Sequence, residues 1–220
     1  MPAGWPRFDL YVVTDAGESA ERSHVEVARA ALAGGADALQ LRDKSATAQN
    51  LCWLVSEIQP IARKFGAVLL VNDRVDVALA AGADGAHVGQ DDLPARAARR
   101  LMAPPAVLGV SAGNLAEARK AARDGADYIG VGPVFATPTK PDAGEPIGME
   151  GLARIARAVS IPVVAIGGIT LDNVMAVIEA GAAGAAVVSA VVSAGDMAQA
   201  ARALKGRIAE TRKRGSGAPT

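Results

Sequence analysis

Segment 38–44 joins an apolar strand to polar side chains at its carboxyl end. Gln40, Arg42 and Lys44 are spaced two apart, and residues two apart in a strand point to the same face. An ordinary surface strand shows the same alternation, but the preceding Ala-Gly-Gly-Ala-Asp indicates a helix end that leads into a short buried strand. Two cations and an amide at the end of a buried strand predict an anion-binding face.

Two aspartates follow apolar segments that are consecutive strands in the same pattern. Asp73 ends one of them, and Asp92 lies just beyond the next. If the strands are neighbours, the two carboxylates could share one hard cation, and Mg2+ is usually held by one or two carboxylates together with substrate phosphate oxygens. The ordinary role of the adjacent Asp91 is solvent exposure or helix capping.

A glycine pair near the end of the chain predicts a phosphate site. Gly167-Gly168 precedes Thr170, which could cap a helix, and Val188-Ser189 follows the next apolar segment. Glycines let the backbone approach a ligand, and a helix start offers free N–H groups. The alternative is a glycine turn that serves packing alone.

Three cations could together neutralise a polyphosphate. Arg42 offers two parallel N–H donors, and Lys44 and Lys140 offer point charges. Taken singly, each of them is an ordinary surface cation. Different roles are predicted for the two histidines. His87 lies in an apolar segment and could be either a hydrogen-bonded core residue or a catalytic base. His24 is expected on an exposed helix face.

A repeated Gly-Ala segment organises the chain that must position these residues. It begins at Gly35, Gly82, Gly125 and Gly181, at spacings of 47, 43 and 56 residues. Each spacing suits two strand–helix units, since one unit takes roughly 20–30 residues. Further apolar, β-branched segments lie before and between these repeats, at 8–13, 67–71, 106–110 and 161–166.

Eight short strands alternating with helices predict an α/β protein with a single (β/α)8 TIM barrel. A doubly wound open sheet is the alternative. In a barrel the site lies at the carboxyl ends of the strands, where the polar residues above are found. Among the helices, Asn114 with Glu117 predicts one start, and Thr170 predicts a helix over 171–180.

Composition excludes several classes of protein. Half of the residues are apolar and 3% are aromatic, while 23 basic residues balance 23 acidic ones. No overall basic field would hold nucleic acid, and no apolar run is long enough to span a membrane. The single Cys52 excludes an internal disulfide. We expect a cytoplasmic protein with one domain over 1–220, a core at about 8–205 and a frayed basic tail at 206–220.

The motifs together resemble the thiamine phosphate synthase (thiamine-phosphate pyrophosphorylase) family, over about residues 8–190. The segments that carry the resemblance, in order, are Tyr11-Val-Val-Thr-Asp15, Gln40-Leu-Arg-Asp-Lys44, Asn72-Asp73, Gly85-Ala-His-Val-Gly-Gln-Asp-Asp92, Gly109-Val-Ser111, Gly132-Pro-Val-Phe-Ala-Thr-Pro-Thr-Lys140, Ala165-Ile-Gly-Gly-Ile169 and Val188-Ser189.

The resemblance implies a transferase of thiamine biosynthesis, EC 2.5.1.3. It would join hydroxymethylpyrimidine diphosphate and hydroxyethylthiazole phosphate to give thiamine phosphate and pyrophosphate, by a Mg2+-assisted dissociative displacement. The pyrimidine diphosphate would be bound by Gln40, Arg42, Lys44, Asn72 and Lys140, and the pyrophosphate also by Ser111. The thiazole phosphate would be received by Thr137, Thr139, Gly168, Val188 and Ser189.

The resemblance also assigns Mg2+ to Asp73 and Asp92, and the catalytic cations to Arg42, Lys44 and Lys140. The partners would be these small molecules, with no nucleic acid and no membrane, and a homo-oligomer is compatible with the sequence. Two alternatives remain open: a thiazole tautomerase-like protein, which needs no pyrophosphate half-site, and a non-catalytic phosphate-binding barrel.

Overall fold

The computed structural model describes residues 8–19, 21–140 and 144–216. Within them, eight parallel strands close into a barrel in sequence order, with the last paired to the first. The strands are β1 Leu10–Val13, β2 Ala38–Leu41, β3 Val68–Asn72, β4 Gly85–Val88, β5 Val107–Ala112, β6 Tyr128–Val131, β7 Val163–Ile166 and β8 Gly184–Val187. The predicted (β/α)8 barrel is therefore confirmed, and the open sheet is excluded.

Helices cover the outside of the barrel. They are α1 His24–Ala33, α2 Ala48–Phe65, α3 Val75–Ala81, α4 Ala95–Leu101, α5 Leu115–Arg123, α6 Gly148–Ala158, α7 Val174–Glu179, α8 Ser189–Val192 and α9 Met197–Ser216. The predicted cap at Asn114 is confirmed, because its side chain accepts a hydrogen bond from the Glu117 N–H. No helix in this described part of the chain has both the length and the apolar character needed to cross a lipid bilayer.

Two layers of apolar side chains hold the barrel together. The larger one lies between the strands and the helices and consists mainly of Ala, Val, Leu and Ile. The smaller one fills the barrel interior with Phe8, Tyr11, Val13, Ala38, Leu70, Val107, Tyr128, Val164 and Ala186. The interior is thus a packed floor, and the open space lies above it at the carboxyl ends of the strands.

The prediction of a frayed tail from residue 206 is wrong as far as the structure describes it. Residues 206–216 continue helix α9, and Ile208 and Thr211 are buried. The ammonium of Lys205 bonds to Asp9 at 3.1 Å and to Asp37 at 2.5 Å. An apolar stripe and these ion pairs attach the helix to the amino ends of β1 and β2, which local composition does not reveal. Residues 1–7 and 217–220 lie outside the described residues.

Two local predictions also need correction. Helix α7 begins at Val174 rather than 171, because Thr170 does not cap it; the Thr170 N–H instead donates to the side chain of Asn173 at 2.9 Å. His24 is buried rather than exposed, with Nδ1 2.7 Å from the Thr14 hydroxyl and Nε2 3.3 Å from Asp43. Tertiary partners that are distant in sequence decide both features.

Candidate functional site

A cavity of about 200 Å³ opens at the carboxyl ends of the strands. Ten of the thirteen residues predicted for the site line it: Gln40, Arg42, Lys44, Asn72, Asp73, Asp92, Ser111, Thr139, Lys140 and Val188. The register of the barrel explains this convergence, since Asn72 pairs with His87 and Ser111 with Gly130 at the same level. We call this space the first cavity.

Two carboxylates meet at one edge of the first cavity. Asp73 follows β3 in the left-handed region, with φ of 61°, and its N–H donates to the His87 carbonyl at 2.7 Å. Asp92 accepts a hydrogen bond from the Gly89 N–H at 2.7 Å. Partial burial, followed by a hydrogen bond and like-charge repulsion from Asp92, raises the pKa of Asp73 to about 6. The two acids are therefore close enough to compete for one proton.

Cations face this acid pair. The charges of Lys44 and Arg42 lower the pKa of Asp73, opposing part of the rise. The Arg42 guanidinium also donates to the carboxylate of Asp15. Among the described residues, Lys44 and Lys140 form no ion pair. Both lysines are exposed and line the first cavity, so their charges are available to an anionic ligand.

A second cavity, of about 370 Å³, adjoins the first and lies beside β6, β7 and β8. The predicted residues that line it are Ser111, Thr137, Thr139, Lys140, Gly168, Val188 and Ser189. Its turn requires glycine, since Gly167 and Gly168 have φ of 100° and 64°. A Cβ on Gly168 would lie 2.7 Å from the Ala136 carbonyl oxygen. The turn therefore serves packing and also exposes backbone to the cavity, while phosphate binding at this turn stays a prediction.

A row of buried polar side chains forms the floor of the first cavity. His87 bonds to the hydroxyls of Tyr128 at 2.8 Å and Ser111 at 2.9 Å, as expected of a hydrogen-bonded core histidine. Burial lowers its pKa to about 4. Burial also raises the pKa of the Tyr11 and Tyr128 hydroxyls above their usual range. All three side chains are thus neutral at neutral pH.

Residues 10–191 match the family described as thiamine monophosphate synthase. The chain belongs to this family. It is 56% identical to the thiamine-phosphate synthase of Chloroflexus aurantiacus over 93% of this chain and 94% of that protein. It is 54% identical to the thiamine-phosphate synthase of Moorella thermoacetica over 96% and 99%.

A solved structure agrees with these relatives. The thiamine phosphate pyrophosphorylase from Pyrococcus furiosus is 42% identical and superposes with a TM-score of 0.87, over 94% of this chain and 98% of that one. The predicted family, a family of transferases, is therefore confirmed. The individual roles given to the thirteen site residues remain predictions, although every one of them lines the first cavity, the second or both.

The thirteen predicted residues leave out several side chains that line the first cavity or contact its residues. Tyr11 and Tyr128 line the first cavity, as do Gln90 and Asp91, and Asp15 pairs with Arg42 there. One signal was available for the tyrosines: they are the only two in the chain, and both lie in strand segments. A buried tyrosine hydroxyl needs a polar partner, which would have pointed to polar groups inside the barrel.

Proposed function

We propose that the chain joins hydroxymethylpyrimidine diphosphate to hydroxyethylthiazole phosphate. The C–O bond between the pyrimidine methylene and the diphosphate breaks, and its electron pair leaves with pyrophosphate. The thiazole nitrogen then forms the new C–N bond, which gives thiamine phosphate. Family membership supports this reaction. Sequence identities of 56% and 54% to two proteins named thiamine-phosphate synthase also support it.

One observation carries the proposal: the two cavities adjoin, and they differ in chemistry. The first has cations facing a pair of carboxylates, which suits a diphosphate with a divalent cation. The second has a glycine turn and hydroxyls, which suits a single phosphate. Ser111, Thr139, Lys140 and Val188 line both. A shared wall allows two substrates to meet in one reaction, which a phosphate sensor or a tautomerase does not need.

The donor set at Asp73 and Asp92 fits Mg2+. Two carboxylates share one edge, and the pKa of Asp73 is raised first by burial and then by its hydrogen bond to Asp92 and the charge of Asp92; a cation would relieve the repulsion between the two acids. No group of three or more His, Cys, Asp or Glu side chains with metal-ligand geometry exists in the described residues. Substrate phosphate oxygens and water would complete the coordination, as is usual for this ion. When bound, Mg2+ would supply positive charge to the leaving pyrophosphate.

The cations of the first cavity account for the bond cleavage. Negative charge develops on pyrophosphate as the C–O bond breaks, and Arg42, Lys44 and Lys140, which line this cavity, would stabilise it. The aminopyrimidine ring delocalises the positive charge left on its methylene carbon. A dissociative displacement of this kind needs no protein nucleophile.

The second cavity then positions the nucleophile. The Gly167-Gly168 turn and Ser189 would hold the thiazole phosphate, and its ring nitrogen would point across the shared wall. A fixed phosphate anchor converts the attack into a reaction between two oriented groups, which lowers its entropic cost. The balanced charge is compatible with small phosphate esters as substrates. We take the barrel as one domain and propose a cytoplasmic location for this biosynthetic activity.

The test is a direct assay with both substrates and Mg2+, in which thiamine phosphate and pyrophosphate are measured. We expect both products in equal amounts, and strong loss of turnover in Lys44→Ala. Lys120→Ala is the matched control, because Lys120 pairs with Asp124 on an exposed helix away from both cavities. Absence of product would overturn the proposal, and isomerisation of the thiazole phosphate alone would indicate a tautomerase.

A further inference from the structure

A continuous line of hydrogen bonds crosses the floor of the first cavity. Gln40 Nε2 donates to the Tyr11 hydroxyl at 2.7 Å, and the Tyr11 and Tyr128 hydroxyls are 3.0 Å apart. The Tyr128 hydroxyl is 2.8 Å from His87 Nδ1, and His87 Nε2 is 2.9 Å from Ser111 Oγ. We call these five residues the relay. They come from β2, β1, β6, β4 and β5.

The surrounding packing holds the middle of the relay in place. Tyr11 is 2% exposed and Tyr128 is fully buried, and the ring of Phe8 packs against both, with centroids 5.8 and 5.1 Å away. Gly109 leaves the space in which Tyr128 and His87 meet, because a Cβ there would lie 2.3 Å from the Tyr128 hydroxyl and 2.4 Å from His87 Nδ1. The contact between Tyr128 and His87 therefore depends on the absence of a side chain at Gly109.

The donor at one end favours one direction along the whole line. The Gln40 amide nitrogen faces Tyr11 and can only donate, so the Tyr11 oxygen accepts from it, and the Tyr11 proton has Tyr128 as its hydrogen-bond partner. The proton of Tyr128 then goes to His87 Nδ1, since each hydroxyl has one proton to give. A neutral imidazole that accepts at Nδ1 carries its proton on Nε2, and that proton points to Ser111 Oγ.

We propose that the relay holds His87 in the Nε2–H form and so leaves the Ser111 hydroxyl proton to be donated into the cavity. Tyr11, Tyr128 and His87 are then positioning residues, which act on a bound anion through Ser111. The acceptor is an oxygen of the diphosphate; that identity rests on the proposed function, whereas the form of His87 does not. Aligned hydrogen bonds in a buried site polarise one another, which strengthens the final donor.

The direct test is 15N NMR of histidine-labelled protein without a histidine tag. The chain has two histidines, so His24→Gln leaves one set of ring signals to assign. We expect an unprotonated Nδ1 and a protonated Nε2 at neutral pH, each identified by its 15N shift and its couplings to ring protons. A protonated Nδ1 with an unprotonated Nε2 would overturn the proposal, whether or not the protein makes thiamine phosphate.

A matched pair of variants tests which neighbour controls His87. Tyr128→Phe and Ser111→Ala each remove one hydroxyl from one of its two partners and keep the remaining packing. We expect Tyr128→Phe to give a mixture of the two ring forms and Ser111→Ala to keep the Nε2–H form. The reverse result, or no change in either variant, would show that Tyr128 does not set the direction.

Binding of inorganic pyrophosphate supplies the functional readout. We expect Tyr128→Phe to weaken it about three- to tenfold, which is less than the full loss of a hydrogen bond to a charged group, because part of the His87 population keeps the Nε2–H form. In a Ser111→Ala background the same change should have no further effect, because the relay acts only through that hydroxyl. Additive losses in the double variant would indicate a general structural role and contradict the proposal.

Discussion

The guanidinium of Arg42 donates a hydrogen bond to the carboxylate of Asp15 at the mouth of the first cavity. The two side chains are 20% and 15% exposed, so this pair is less screened by water than an ordinary surface ion pair. It forms because the chain segments after β1 and β2, which are neighbouring strands, lie side by side. A diphosphate that binds Arg42 must therefore compete with an acid already in place.

Removal of that competition should strengthen anion binding. In Asp15→Asn the amide oxygen can still accept from Arg42, while one negative charge leaves the cavity. We expect pyrophosphate to bind up to about tenfold more tightly, which corresponds to ~1.4 kcal/mol. Calorimetry would measure this, with Asp91→Asn as a control that removes a charge from the same cavity without touching Arg42. Equal gains in both variants would mean that the ion pair has no special effect.

The carboxylate pair should set the Mg2+ requirement. Asp92→Asn keeps an acceptor for the Gly89 N–H but removes one of two anionic groups. We expect at least about tenfold more Mg2+ for half-maximal turnover, as for other losses at metal sites, with an unchanged circular dichroism spectrum. Asp91→Asn is again the control, because its carboxylate does not contribute to the pKa of Asp73. Near-normal turnover at ordinary Mg2+ would remove Asp92 from the metal site.

The raised pKa of Asp73 predicts a specific pH dependence of stability. Its usual pKa is 3.8, and burial together with Asp92 raises it to about 6 in the folded protein. Between these values the folded state binds more protons than the unfolded state, so this group makes the free energy of unfolding fall as pH rises. Well above pH 6 Asp73 is ionised in both states, and its effect on the free energy of unfolding no longer changes with pH.

Asp73→Asn should remove that slope. We expect the variant to gain stability relative to wild type as pH rises from about 4 to about 6, measured by thermal unfolding in EDTA. Asn also tolerates the left-handed backbone at this position, but that contribution is independent of pH. A stability difference that stays constant across this window would contradict the assigned cause.

The two cavities should be separable by mutation. Ser189→Asp places a negative charge in the second cavity, where repulsion should weaken thiazole phosphate binding by a few kcal/mol, or about tenfold for each 1.4 kcal/mol. Lys44→Ala should weaken pyrimidine diphosphate binding instead, since Lys44 lines only the first cavity. Calorimetry with each substrate alone would measure both effects. If both substrates weaken equally in both variants, the division into two anion sites is wrong.

Helix α9 should contribute measurably to stability despite its basic sequence. Ile208 is fully buried, so Ile208→Ala should cost about 2–5 kcal/mol through lost apolar burial and a remaining cavity. Glu210→Ala, at an exposed position of the same helix, should change little. Denaturant unfolding of both variants would distinguish a packed helix from a peripheral one, for which the two costs would be similar.

Local patterns in the sequence were sufficient for the architecture and for the position of most site residues. Period-two alternation predicted that Gln40, Arg42 and Lys44 point the same way. Strand β2 ends at Leu41, so Arg42 and Lys44 lie beyond it, yet all three residues line the first cavity. The Gly-Ala repeats indicated strand–helix units, and a parallel barrel brings the carboxyl ends of its strands together. These inferences succeed because strand direction, side-chain alternation and turn chemistry are short-range properties of the chain.

Tertiary structure alone decided which side chains make contact. The hydrogen bond between the Tyr11 and Tyr128 hydroxyls joins residues 117 positions apart, and buried His24 is hydrogen-bonded to Thr14 and Asp43. The order of helix α9 likewise depends on apolar packing and on ion pairs with Asp9 and Asp37. No local pattern encodes such pairs, since they arise only when barrel closure brings distant segments within hydrogen-bond range.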